Sequence, residues 1–198
     1  MMERRLHCQG CQQKLRISVR PQVSLLADKK VYSLFAWVPN EDDDVSSLML
    51  GLKGSFREVD WHFWAMEFLA WRLKFKIPIE PIIIPAPPTK PGRVHSELFA
   101  VAMGRILGVR VCTDYLVNVG VDGFRSLSRQ ERASRDRIRR RCESAPHPLN
   151  QPIVFVDDVL TTGSTALSAW RALGKPKNFE IWVLARRGYL AEEQQLQV

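Results

Sequence analysis

Asp157 and Asp158 stand side by side and are followed by Thr161, Thr162, Ser164 and Thr165 around Gly163, a cluster of carboxylates and hydroxyls within nine residues. The pair follows Ile153-Val154-Phe155-Val156, an uninterrupted apolar run in which three of the four residues are β-branched, so a fully buried strand is expected there. The small-residue loop that follows opens a helix expected over 164–173, with Ser164 or Thr165 available as its cap. A strand, a glycine-containing loop and a helix start together form an anion site, where backbone N–H groups and the helix dipole meet a phosphate. Four hydroxyls add donors, and Gly163 lets the backbone approach closely. The loop contains no lysine, so it is not a Walker A sequence, and no GxGxxG occurs. Carboxylates accept hydrogen bonds, so the ligand that suits this run carries hydroxyls beside its phosphate. A sugar 5-phosphate does: its 2- and 3-hydroxyls donate to Asp157 and Asp158 while its phosphate sits on Thr161, Thr162, Gly163, Ser164 and Thr165. The plainer alternative is a strand-to-helix turn with a solvated acidic pair.

The elements that must position this run are legible as an alternation. A strand is expected at Val31–Val38, then a helix start in the acidic stretch Asn40–Asp44 and a short helix over Ser46–Lys53 ending at Gly54. Glu58–Phe75 form an amphipathic helix with Trp61, Trp64, Phe68, Trp71 and Phe75 on one stripe. That stripe reads as core, and an outward part of it could serve as a homodimer contact. Ile82–Ile84 are a buried strand stopped by Pro85-Ala86-Pro87-Pro88, residues 94–107 a helix, and Val109–Val111, Leu116–Val119 and Ile181–Leu184 further strands. Strands alternating with helices imply an α/β fold with a largely parallel sheet flanked by helices. In such sheets ligands bind at the carboxyl ends of the strands, where both Asp157 and Pro85 fall.

Three further features stand near this edge or apart from it. Pro85–Arg93 leave a buried strand and carry Lys90 and Arg93, cations suited to a pyrophosphate group, or an ordinary proline-rich loop with solvated bases. Arg125–Arg141 hold eight arginines, among them Arg125, Arg129, Arg132 and Arg135, against Glu131 and Asp136, a net charge of +6. Ser128-Arg129-Gln130-Glu131 matches a capping box, so a helix is expected, with so few apolar anchors that it reads as a flexible basic segment. It suits a solvated flap, a lid over an anionic substrate or a nucleic-acid contact. Finally, Cys8-Gln9-Gly10-Cys11 is half of a zinc-ribbon pattern whose second CxxC is absent.

Composition sets the frame. With 198 residues, 45% of them hydrophobic, the chain can bury a sizeable core. The expected division is an N-terminal CxxC segment over 1–30 and one larger domain over 31–198. Lys and Arg total 29 against 21 Asp and Glu, and the resulting +8 favours anionic partners. No apolar run approaches membrane-spanning length and the first residues lack a signal-peptide core, so a cytoplasmic protein with reduced thiols is expected.

Taken together, these pieces resemble the ComF family of phosphoribosyltransferase-like proteins associated with bacterial competence. The motifs that carry the resemblance are the N-terminal CxxC, the short helix before Lys53-Gly54, the strand ending in Pro85-Ala86-Pro87, Ser96-Glu97-Leu98-Phe99-Ala100, Leu127-Ser128-Arg129-Gln130-Glu131-Arg132, and Val156 to Thr165. The last is the signature of the type I phosphoribosyltransferases. The chain departs from the family in lacking the second CxxC, and in having Gly92-Arg93-Val94-His95 where the family has Arg-Gly-Phe-Asn-Gln. The resemblance implies a type I phosphoribosyltransferase-like fold with a small zinc-ribbon-like remnant, in which Cys8 and Cys11 would be zinc ligands. It also implies binding of phosphoribosyl pyrophosphate (PRPP) with magnesium. Asp157 and Asp158 would then hold the ribose hydroxyls, Thr161 to Thr165 the 5-phosphate, and Lys90 and Arg93 the pyrophosphate. The expected reaction is Mg-dependent transfer of the phosphoribosyl group to an unidentified acceptor, linked to DNA uptake or nucleotide salvage. The other expectation is a non-catalytic competence accessory that binds nucleic acid through its arginines.

Overall fold

A computed structural model describes residues 19–38, 45–49, 60–89, 92, 94–119, 138–141 and 151–188. Cys8 and Cys11, and with them the expected zinc-ribbon remnant, lie outside the described residues, as do Lys90, Arg93, Arg125, Arg129, Arg132 and Arg135.

The protein is a mixed α/β fold with a mostly parallel central sheet. Strands β1 (Gln22–Leu26), β2 (Lys29–Trp37), β3 (Ile82–Pro85), β6 (Ile153–Leu160) and β7 (Phe179–Arg187) form it in the order β1-β2-β7-β6-β3. β1 pairs antiparallel with β2, and the other pairings are parallel. A separate antiparallel pair, β4 (Leu116–Asn118) with β5 (Ile138–Arg140), lies beside it. The helices are α1 (Trp61–Arg72), α2 (His95–Leu107) and α3 (Ser164–Ala172). Residues 45–49 are also helical. None of the described helices is long and apolar enough to cross a membrane.

β6 and β7 are central strands and are sealed on both faces, which is why they read as continuous apolar runs. Alternate residues serve two cores. Val154, Val156, Trp182 and Leu184 join the core built with α1 and α2, while Ile153, Phe155, Ile181 and Val183 join the one that holds Ala166, Ala169 and Leu173 of the α3 region. Of the aromatic stripe expected on the first long helix, Trp61, Trp64 and Phe68 are core, with Phe68 5.6 Å from the Trp182 ring; Trp71 is partly buried against that core and Phe75 is exposed. α1 is shorter than the pattern suggested. It starts where the Asp60 carboxylate accepts from Phe63 N–H (2.9 Å) and closes at Leu73.

Other boundaries moved for physical reasons. β6 continues through Leu160 because β7 goes on pairing with it, Asp157 opposite Val183 and Leu160 opposite Arg186. The acidic pair, expected at the strand's end, therefore lies within β6. Val109–Val111 contribute only a single parallel bridge, Val111 to Ile83, beyond β3. Ile138–Arg140, at the end of the arginine window where a helix was expected, form a strand instead, since Ile138 is buried in the second core. β1 and the first two residues of β2 precede the boundary expected at residue 31, and they are paired into the central sheet.

α1 is anchored to the sheet by a buried cation. Arg72 is fully buried, donates to Glu180 at 2.7 Å and to the Lys76 carbonyl, and lies 3.9 Å from the centre of the Tyr32 ring. Glu180 also accepts from the Trp182 indole at 2.9 Å. Burial pushes the Tyr32 hydroxyl above its usual range, with the Glu180 charge acting in the same direction and Arg72 opposing it. The pair binds the end of a helix to the beginning of a central strand, so removing one partner leaves a charge stranded in the interior. Glu180→Ala is expected to lower unfolding free energy by about 3 kcal/mol, read from urea denaturation midpoints at constant m-value.

Candidate functional site

β3 and β6 run parallel and end at the same edge of the sheet, where Ala86 N–H still donates to the Val156 carbonyl at 2.8 Å. Beyond that bond the chains diverge, and a cleft of about 220 Å³ opens between them. One wall is the loop Ala86–Thr89 with His95 and Ser96 at the start of α2. The other is Asp157, Asp158 and Val159 at the end of β6, with Thr161 and Thr165 from the loop that follows.

Sequence reasoning placed Asp157, Asp158, Thr161 and Thr165 in one site, and the structure brings these four together on the cleft. Thr162, Gly163 and Ser164 belong to the same loop but have a supporting geometry. Thr162 Oγ1 lies 3.2 Å from Ser164 Oγ and faces the Ser164 N–H. Gly163, rather than Ser164 or Thr165, caps α3: its φ of +74° is left-handed, and no side chain takes the cap hydrogen bond. Gly163 itself offers the first-turn N–H groups of α3 no side chain, and the Ser164 N–H is met instead by Thr162 Oγ1 at 3.4 Å. A Cβ at position 163 would fall 2.4 Å from Leu26 Cδ2, so the loop is also packed closely onto β1. Both the backbone conformation and the approach require glycine here.

The acidic pair is held tightly. Ser96 Oγ donates to Asp157 Oδ1 at 2.8 Å, bridging the start of α2 to the end of β6. Asp157 Oδ1 also accepts from the Asp158 N–H (2.9 Å), and Asp158 Oδ1 from the Val159 N–H (2.8 Å). These bonds do not offset the surroundings of Asp157. Burial holds its carboxyl well above the usual carboxylate range, and the adjacent Asp158 charge pushes further in the same direction, against the opposing Ser96 bond.

Ser96 and His95 were not singled out from sequence as site residues. The available signal was positional: both open the helix that follows a strand ending at the same edge as Asp157. Spacing alone could not show which helix-start side chains turn toward the cleft. Among the described residues no group of three or more His, Cys, Asp or Glu side chains could hold a metal ion.

The arrangement offers two carboxylates to a pair of neighbouring hydroxyls, with hydroxyls and N–H groups to an anion beside them. Among solved structures, the chain is similar to a purine phosphoribosyltransferase from Pyrococcus horikoshii, at 18% identity and a TM-score of 0.42 over 64% of this chain and 83% of that one. It is also similar to the protein TT1426 from Thermus thermophilus, at 15% identity and a TM-score of 0.41 over 69% of this chain and 88% of that one. No protein-family model matches the chain, and no curated protein matches it.

The raised Asp157 carboxyl has a thermodynamic consequence. The unfolded chain loses this proton near the ordinary carboxylate value of 3.8, whereas the folded protein retains it to higher pH. Between the two values the folded state binds more protons, so this group destabilises the fold progressively as pH rises through that window. Asparagine carries no charge to desolvate. Asp157→Asn is expected to match the wild type near pH 3.8 and to exceed it increasingly as the pH rises toward neutrality. Urea denaturation of both proteins across that pH range checks this, and equal stability at neutral pH contradicts it.

Proposed function

We propose that the protein binds PRPP with magnesium and transfers its 5-phosphoribosyl group to an acceptor, releasing pyrophosphate. The observation that carries this reading is the single cleft in which Asp157 and Asp158 face the Ala86–Thr89 loop, with Thr161 and Thr165 beside them. A ribose 5-phosphate spans such a site naturally. Its 2- and 3-hydroxyls lie between its two ends, so that with the hydroxyls on the carboxylates the 5-phosphate reaches the Thr161–Thr165 loop and C1 points toward the opposite wall. Each hydroxyl-to-carboxylate bond is charge-assisted and stronger than a neutral one.

The reaction requires the acceptor's lone pair to form a bond to C1 as the C1–O bond breaks, its electrons leaving with the pyrophosphate. The described side chains form no cage for a metal. Magnesium keeps waters and substrate phosphate oxygens as ligands and uses few protein groups. When bound with PRPP, it would supply charge neutralisation for the pyrophosphate leaving group. The protein's own part is to fix the ribose: Ser96 and the Asp158 N–H orient Asp157, and the Val159 N–H orients Asp158. Lys90 and Arg93 are proposed as further pyrophosphate contacts, and the segment with Arg125, Arg129, Arg132 and Arg135 as a closing cover. A link to competence, DNA uptake or nucleotide salvage belongs to the same proposal and rests on the sequence resemblance alone.

Binding tests this before any acceptor is known. At a hundredfold excess over its dissociation constant, PRPP with magnesium should stabilise the protein by about 2.7 kcal/mol. Asp158→Asn should weaken binding about tenfold or more, through loss of one charge-assisted bond. Thermal shift and calorimetric titration read both. Absence of any PRPP effect, together with strongly salt-dependent binding of single-stranded DNA, would instead favour the nucleic-acid accessory.

A further inference from the structure

The loop that follows the acidic pair has a support far from it in sequence. Thr161 and Thr162 are exposed, whereas Gly163, where the loop enters α3, is buried. Leu26, the last residue of β1, lies directly against it. A Cβ at position 163 would meet Cδ2, Cδ1 and Cγ of Leu26 at 2.4, 2.7 and 3.1 Å. Leu26 is itself partly buried against the second core, to which Ala166 and Ala169 of α3 belong. The turn that follows it is tight: Ala27 and Asp28 both take positive φ. Lys29, which opens β2, is buried, donates to the Ala27 carbonyl at 3.3 Å and pairs with Asp28. Its ammonium also stands 4.2 Å from the centre of the Trp170 ring, in the last turn of α3. The β1–β2 hairpin therefore meets α3 at both ends, through Leu26 at its start and Lys29 at its finish.

These two contacts bear differently on a ligand. Gly163 turns the chain from the loop into the helix with a φ of +74°, and so sets how the first turn of α3 faces an anion. Glycine has more backbone freedom than any other residue, so an unsupported glycine here would let the loop swing. Leu26 removes that freedom by packing onto the glycine backbone. We infer that Leu26 is a positioning residue, which holds Gly163 in place and thereby fixes the aim of the Thr161–Thr165 loop at the 5-phosphate of the ligand. It touches no ligand atom; it acts by ordering the loop before binding, so that the ligand does not have to. This inference rests on the PRPP reading and adds to it the element, the β1–β2 hairpin, that sets the 5-phosphate end of the site. Lys29 fastens the far end of the helix and leaves the loop untouched.

Calorimetric titration of the full chain with PRPP and with ribose 5-phosphate, each with magnesium, tests this on wild type, Leu26→Ala, Leu26→Met and Lys29→Gln. Urea denaturation gives the stability of each protein alongside. Leu26→Ala should bind both ligands about threefold to tenfold more weakly, the equivalent of one hydrogen bond to the phosphate. The two ligands share the 5-phosphate and differ at C1, so both affinities should fall by the same factor. Leu26→Met keeps the volume and reach of the side chain, and should return both affinities to within about twofold of wild type. Lys29→Gln loses its contact with the Trp170 ring, and should cost stability while both affinities stay within about twofold. If both ligands bind and Leu26→Ala leaves their affinities unchanged, the inference fails and the PRPP reading stands. The same holds if Lys29→Gln weakens binding as much as Leu26→Ala does, or if the loss in Leu26→Ala is confined to PRPP. If the wild type binds neither ligand, both the inference and the PRPP reading fail. Should Leu26→Ala not fold, Leu26→Val, which shortens the side chain and keeps it apolar, is judged by the same criteria.

Discussion

The site depends on one constraint, the enclosure of β6 over Ile153–Val156 on both edges and both faces. It is hydrogen-bonded to β3 on one side and β7 on the other, and its apolar residues are sealed between two cores. A strand so enclosed can present polar groups only where it leaves the sheet. There β3 has already ended at Pro85, while β7 still pairs through Arg186. The mismatch in length leaves the last residues of β6 without a neighbour on one side, and the cleft opens there.

Placing two carboxylates at such a point is costly, and the structure shows how the cost is met only in part. Hydrogen bonds from Ser96 and from the Asp158 N–H stabilise the Asp157 carboxylate, but burial and the neighbouring charge outweigh them. The site is therefore prepared for donors it does not itself possess. Vicinal hydroxyls would supply them, and groups with positive charge nearby would ease the repulsion within the pair. Local instability of this kind suits a binding site better than a scaffold. The scaffold is stabilised elsewhere, at the opposite end of the strands, where Arg72 and Glu180 are joined between aromatic rings.

Several elements were plain in the residues, and their edges were not. The hydrophobic run of β6 ends at Val156, but its pairing continues to Leu160, because strand length is set by the partner as well as by apolarity. β1 escaped notice because Val23 and Leu25 are partly exposed and its turn lacks the usual Asn-Gly or Asp-Gly signal. Ala27 and Asp28 take positive φ there instead, at 45° and 66°. Ile138–Arg140 stand in an arginine-rich stretch that reads as helix, and a single buried contact at Ile138 accompanies its pairing as a strand.

The chemistry of the acidic pair and its loop was determined by sequence alone, because strand, carboxylates, hydroxyls and glycine are contiguous and their relative placement follows from local geometry. What faces them was decided only by tertiary structure. Ser96 reaches Asp157 across 61 residues of chain, and His95 arrives with it on a helix whose orientation is set by packing against α1 and β6. The upward push on the Asp157 carboxyl was likewise out of reach, since desolvation is the sum of everything packed around a group, and no local spacing encodes it.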